Sequence, residues 1–222
     1  MSLPRRVRAV VFDMDGLLVD TEQAVYASMH RASQARGRDM PMEVFRRMVG
    51  LTRAASDEII AAHFGEGFDV EAWAEEIRMH MQEAIAAGVA LKAGATEILD
   101  HLDAVGLPRA IATSSSLEAV HHSLGPHGVV ERFHALITRD VQINSKPHPE
   151  PFLRAAAALG VDPADCLALE DSHNGVRAAA AAGMMTVMVP DMLDPTEEMR
   201  TLCIRIAHDL HEVVELLAAQ GG

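Results

Sequence analysis

From Leu91 onward, the chain alternates between two kinds of apolar pattern. Short, near-continuous apolar runs have the length and composition of buried strands: PRAIATS from Pro108, HALIT from His134, CLALED from Cys166 and MTVMVP from Met185. Between them, apolar positions recur at helical spacing in GATEILDHLDAVG from Gly94, SLEAVHHSLG from Ser116, PEPFLRAAAALG from Pro149 and NGVRAAAAAG from Asn174. Three of these stretches end at Gly106, Gly160 and Gly183, where glycine can take the left-handed conformation that closes a helix. RAVVFD from Arg8 supplies one further strand. Strands apolar on both faces and alternating with helices predict a doubly wound, Rossmann-like α/β core around a parallel sheet.

The segment between the first strand and its following helix breaks the rhythm. TEQAVYASMHRASQARG, PMEVFRRMV, SDEIIAAHFG and DVEAWAEEIRMHMQEAIAAG all read as helices, and no strand pattern appears among them. The expected organisation is therefore an α/β core domain from residues 1–17 and 92–222, with an all-helical domain inserted at 18–91. Gly16 and Gly94 flank the two crossings, either as hinges or as ordinary turns.

Composition narrows the class. Of 222 residues 49% are hydrophobic, enough for a sizeable core, and the formal net charge of −13 argues against nucleic acid or an anionic membrane as the main partner. A small anionic ligand stays compatible with that charge, because a local cationic pocket can sit on an acidic protein. Cys166 and Cys203 are the only cysteines and Cys166 lies in an apolar run, which fits a reducing, cytoplasmic setting. No apolar stretch reaches the roughly 20 residues that span a bilayer. No large apolar stripe is left once the core is assigned, which favours a monomer.

Ligands of doubly wound sheets bind at the carboxyl ends of the strands. Those ends carry Asp13 and Asp15, then Thr113 with Ser114, then Glu170 and Asp171; Lys146 stands in the loop NSKPHPEPF before a helix. Four carboxylates in one crevice cannot all stay ionised without a cation, and oxygen ligands favour a hard one such as Mg²⁺. Lys146 and the Thr113 hydroxyl suit an anion, so the set matches a phosphoryl group. An aspartate is already deprotonated at neutral pH; its difficulty as a nucleophile toward phosphate is repulsion, which metal and lysine remove. Asp20 precedes a helix start and reads as a cap or loop brace, and Ser116 as a helix cap. His121 and His122 are adjacent on a helix and cannot share a face. His148 and His173, in rim loops, read as bracing groups.

FDMDGLLVD, IATSS, KPHPEPF and LEDSHNGVRAA, in this order over nearly the whole chain, resemble the haloacid dehalogenase-like hydrolase superfamily, in its helical-cap branch of phosphatases and β-phosphoglucomutases. The resemblance implies that Asp13 attacks phosphorus to form an aspartyl phosphate. Asp15 would protonate the leaving oxygen and then deprotonate the hydrolytic water. Thr113 would bind a phosphoryl oxygen beside the Ser114 amide, and Lys146 would neutralise charge. Asp171, the Asp13 carboxylate and the Asp15 carbonyl oxygen would hold Mg²⁺, with Glu170 a ligand directly or through water. The inserted helices become a cap, and Arg53 in VGLTRAASDEI either faces the crevice to hold the substrate or is a solvated helix-start residue, with Arg78 a weaker candidate. The family's usual proline before the second hinge glycine is replaced by Ala93.

The expected activity is a Mg²⁺-dependent phosphatase of a small phosphorylated metabolite, a sugar phosphate or nucleoside monophosphate. A β-phosphoglucomutase-like isomerase is the alternative. It is weakened because Val25 stands where the mutase has a histidine, and Val49 where it has a lysine. A non-catalytic phosphometabolite-binding protein on the same fold is the third reading, opposed by the intact set of reactive residues.

Overall fold

In the computed structural model, the structure describes residues 3–49, 51 and 53–220, with the backbone alone at 53 and 54. The chain divides into two compact units, one taking in the chain up to Val19 and from Ala90 on, the other Asp20–Val89.

In chain order the elements are β1 (Ala9–Phe12), then α1 (Thr21–Gln34), α2 (Met42–Met48), α3 (Arg53–Phe64) and α4 (Val70–Ala87) in the second unit. The first unit resumes with α5 (Ala95–Val105), β2 (Arg109–Ala112), α6 (Leu117–Leu124), β3 (Ala135–Ile137), α7 (Glu150–Leu159) and β4 (Cys166–Glu170). It ends with α8 (His173–Ala181), β5 (Met185–Met188), α9 (Glu197–Leu202), β6 (Arg205–Ile206) and α10 (Leu210–Ala218). The six strands form one parallel sheet in the order β3-β2-β1-β4-β5-β6. The fold class read from the sequence is therefore the one observed.

Strand periodicity sorts the core into two faces. Ala9 and Val11 of β1, Ala110 and Ala112 of β2 and Ala168 of β4 pack with Phe152, Ala155 and Ala156 of α7 and Ala178 and Ala179 of α8. Alanines on both sides of this contact let the two helices approach the sheet closely, which explains the Ala-rich runs of α7 and α8. The alternate residues Val10, Phe12, Ile111, Leu167 and Leu169 are fully buried as well. A sheet covered on both faces follows. Burying β1 and β4 side by side at the centre puts their carboxyl ends at the point where strand order reverses.

In the second unit α1 lies along α4. The Trp73 indole donates to Ser33 Oγ at 3.0 Å inside the unit, and Arg36 pairs with Glu76. Phe64, Phe68 and Trp73 form an aromatic cluster, with the Phe64 and Phe68 rings stacked 4.1 Å apart. Asp69 caps α4 by accepting from the Ala72 N–H at 3.0 Å.

One reading of Asp20 needs correction, and the C-terminal part adds elements. Asp20 stands at the N-cap position of α1, yet its side chain makes no capping hydrogen bond, so its role is not that of a cap. The C-terminal elements α9, β6 and α10 were not expected. β6 is only two residues long and half exposed, which is too short to leave an apolar run. Ser116 does cap α6, accepting from the Ala119 N–H at 3.2 Å. Cys166 and Cys203 are both free thiols, and burial pushes each up to about 11. Among the described residues no helix is long and apolar enough to cross a membrane.

Candidate active site

The site is built from strand ends that the sheet forces together. Sheet pairing runs one residue past β1, where the Asp13 N–H donates to the Leu169 carbonyl at 2.9 Å and fixes the Asp13 backbone against β4. The chain then turns tightly. Gly16 has φ +79°, and its N–H donates to the Val19 carbonyl at 2.9 Å. A side chain there is excluded twice over, because its Cβ would stand 2.4 Å from Asp171 Oδ2 and the backbone is left-handed. The DxDG spacing thus brings the first strand end directly against the fourth.

Lys146 arrives from the loop between β3 and α7, and Glu150 holds that loop in shape. Its carboxylate accepts from the Ile143 N–H at 2.8 Å, the Asn144 N–H at 2.9 Å, Asn144 Nδ2 at 2.8 Å and Arg154 Nε at 2.7 Å. Gln142 ties the same loop to the end of β2 by donating to the Thr113 carbonyl at 3.1 Å. The Lys146 ammonium, almost wholly buried, donates to Asp13 Oδ1 and, at 2.5 Å, to Glu170 Oε1. Phe152 lies beneath it, the ring centre 5.1 Å from Nζ.

Asp15 sits in a different environment. One carboxylate oxygen accepts from Ser115 Oγ at 2.7 Å and from Thr113 Oγ1 at 3.2 Å, while Thr113 Oγ1 itself accepts from the Ser115 N–H at 3.0 Å. At the end of β4, Glu170 is fully buried with both oxygens engaged, Oε1 by Lys146 and Oε2 by the Ser172 N–H at 3.2 Å and Ser172 Oγ at 3.0 Å. Asp13, Glu170 and Asp171 each offer an oxygen within 4.8 Å of the others, a grouping able to hold a metal ion.

Electrostatics follow from crowding and burial. Burial pushes the Asp13 carboxyl up to about 8; Lys146 opposes that rise, while Glu170 and Asp15 add to it. Asp171 is raised well above the usual carboxylate range by burial, then by Glu170 and Asp13. Burial also works against the charge of Lys146, but Asp13 and Glu170 outweigh it and push the ammonium up. Buried acids that resist ionisation beside one cation make a site short of positive charge. A divalent ion fits that deficit.

The structure thus brings together Asp13, Asp15, Thr113, Lys146, Glu170 and Asp171 from four separate parts of the sequence. Ser114 is exposed at the mouth of the β2 end. Gly50 and the side chain of Arg53 lie outside the described residues. The Glu150 N–H donates to His148 Nδ1 at 3.2 Å, and His173 Nε2 donates to the Asp194 carbonyl at 2.9 Å, so both histidines brace loops. Sequence reasoning missed Ser115 as a partner of Asp15. Its only signal was a run of three serines after a strand.

Residues 10–189 match the family model of haloacid dehalogenase-like hydrolases. The chain belongs to this family. This hydrolase is 35% identical over 196 residues to the Drosophila melanogaster protein named "Probable pseudouridine-5'-phosphatase", covering 84% of the chain and 83% of that relative. It is 31% identical over 200 residues to hexitol phosphatase B of Escherichia coli strain K12, covering 86% of each. Among solved structures, a hydrolase of the family from Deinococcus radiodurans R1, with bound phosphate and sodium, superposes with a TM-score of 0.86 at 26% identity over 97% of this chain and 96% of that one. This haloacid dehalogenase-like hydrolase is accordingly a phosphatase.

Proposed function

We propose that the chain is a Mg²⁺-dependent phosphatase that hydrolyses a small phosphorylated metabolite, of the sugar phosphate or nucleoside monophosphate type, through an aspartyl phosphate on Asp13. The observation that carries the reading is the contact of the buried Lys146 ammonium with Asp13 Oδ1, beside Asp171 and at the switch point of the sheet. The names of the relatives, one for a hexitol phosphatase and one for a pseudouridine-5'-phosphatase, support monoesters of polyols or nucleosides as the substrate class.

In this reading Asp13 forms a bond to phosphorus as the ester P–O bond breaks, and Asp15 gives its proton to the departing alkoxide. Water then attacks phosphorus while Asp15 takes its proton, which regenerates the Asp13 carboxylate and releases inorganic phosphate. Lys146 lowers the repulsion between Asp13 and the incoming phosphate. Thr113 can turn its hydroxyl from Asp15 to a phosphoryl oxygen, beside the Ser114 amide. Asp13, Asp171 and the Asp15 carbonyl would hold the metal; Glu170, its oxygens already engaged, would act through water. The ion would supply neutralisation of charge on the phosphoryl oxygens.

The test is phosphate release from a panel of phosphorylated metabolites with Mg²⁺, with and without chelator, for wild type and Asp13→Asn. Wild type should select a few substrates and lose activity in chelator, and Asp13→Asn should be inactive at every concentration. Turnover by Asp13→Asn near the wild-type rate would overturn the covalent route, and full activity in excess chelator would overturn the metal.

A further inference from the structure

Asp191 lies just beyond β5, two residues after Val189, whose N–H donates to the Glu170 carbonyl at 2.7 Å. It is not one of the clustered carboxylates Asp13, Glu170 and Asp171. Its two oxygens have unequal surroundings. Oδ1 accepts from Lys92 Nζ at 2.7 Å, whereas Oδ2 is buried without a hydrogen-bond donor among the described residues. The side chain is only 10% exposed. A buried carboxylate oxygen without a donor is costly, so this position is built for a donor that the protein itself does not supply.

Gly16 shows which way that oxygen looks. A Cβ at Gly16 would stand 3.4 Å from Asp191 Oδ2 and 2.4 Å from Asp171 Oδ2, so both carboxylates border the small space the glycine leaves open. Lys92 is itself anchored, its backbone N–H donating to the Leu18 carbonyl at 2.9 Å. Held at Oδ1 by an anchored lysine, Asp191 can present its other oxygen toward Asp171 without swinging away.

Mg²⁺ sheds its waters reluctantly and keeps several of them when bound by one or two carboxylates. Outer-shell acceptors orient such sites and tune their affinity. We infer that Asp191 is a positioning residue of the metal site, its Oδ2 accepting a hydrogen bond from a water in the shell of the ion and Lys92 fixing its aim. The inference rests on the Mg²⁺ reading of the site given above.

The experiment is calorimetric titration of Mg²⁺ into metal-free wild type, Asp191→Asn and Asp191→Ser, with the thermal midpoint of each protein measured in chelator. The amide of Asp191→Asn keeps an oxygen for Lys92 but presents an N–H₂ where an acceptor is needed. Its Mg²⁺ affinity should fall about 10- to 100-fold, with the metal-free midpoint within a few degrees of wild type. Asp191→Ser, which leaves room for a water beside Lys92, should show the same loss and serves if the amide variant does not fold. An unchanged affinity in a folded variant, with a lower midpoint, would make Asp191 a brace alone and overturn the inference. Wild type that binds no Mg²⁺ would instead overturn the metal reading on which it rests.

Discussion

Gly175→Ala is the sharpest test of how the carboxylate cluster is held. Gly175 occupies the first turn of α8, and an ideal Cβ there would lie 1.8 Å from Glu170 Oε1, 1.9 Å from its Cδ and 2.1 Å from Oε2. The carboxylate must retreat by roughly 1 Å, since contacts under about 3 Å to a methyl carbon are not tolerated. It has nowhere free to go. Glu170 is 0% exposed, and its oxygens hold the Lys146 ammonium and the Ser172 N–H and hydroxyl. Losing one charge-assisted hydrogen bond costs about 1.5–3 kcal/mol, and overpacking costs about 1–3 kcal/mol. Against this, alanine is favoured over glycine inside a helix by about 1 kcal/mol. The balance is a net loss of about 1.5–5 kcal/mol, or roughly 3–20 °C in thermal midpoint for a chain of this size. Differential scanning calorimetry of metal-free protein gives the midpoint, and the initial rate of phosphate release should fall with it, because Lys146 follows Glu170. A midpoint equal to or above wild type would show that helix propensity dominates and that Glu170 is not held as described.

Two further perturbations bear on the same cluster. Lys146→Met removes the ammonium from two buried carboxylates, so the variant should lose about 3–5 kcal/mol at pH 8. Burial raises the Asp13 carboxyl, so the fold binds a proton there that the unfolded chain does not; the variant's midpoint should therefore rise from pH 8 to pH 5, and midpoints measured at the two pH values decide the sign. For Glu150, the backbone N–H of Ile143 first, then Asn144 and Arg154, hold the carboxyl down to about 2 from its ordinary 4.5. A depressed carboxyl contributes stability above its unfolded value that is lost as pH falls through the folded one. Wild type should therefore lose midpoint between about pH 4.5 and pH 2, and Glu150→Gln should flatten that stretch of the pH–midpoint curve.

The strands were legible because burial on both faces writes them as unbroken apolar runs, as in VVF of β1 and CLAL of β4. Asp13 and Asp171 were legible for the opposite reason: a carboxylate closing such a run contradicts its surroundings unless it is used. What could not be read was set by contacts made only in three dimensions. Ser115 and Ser116 are the same residue type one position apart, yet one donates to Asp15 and the other caps α6. Asp191 follows Val189-Pro190 with the look of an ordinary turn, and only the nearness of Lys92 and Gly16 sets it apart. Asp20 reads in sequence as a cap or a loop brace, and the structure removes the cap, although an acid before a helix usually makes one. β6 has two residues and no periodicity to show.

The two aspartates of DxD are separated by a single residue but differ in how firmly they are held, and that difference fits the division of labour proposed above. Asp13 is bonded to a buried ammonium and its backbone is paired with β4, so moving it would take from Lys146 one of its two carboxylate partners. A nucleophile gains from such fixation, because in-line attack needs one geometry. Among the described residues the Asp15 side chain is held by two hydroxyls, which rotate at little cost and can turn to other acceptors. An acid that must first serve the leaving oxygen and then the incoming water needs that looser tether. Exchanging the two environments, with the ammonium on Asp15 and the hydroxyls on Asp13, would leave a mobile nucleophile and an immobile proton carrier. The order of residues after β1 therefore supports the proposed roles as much as their identity does.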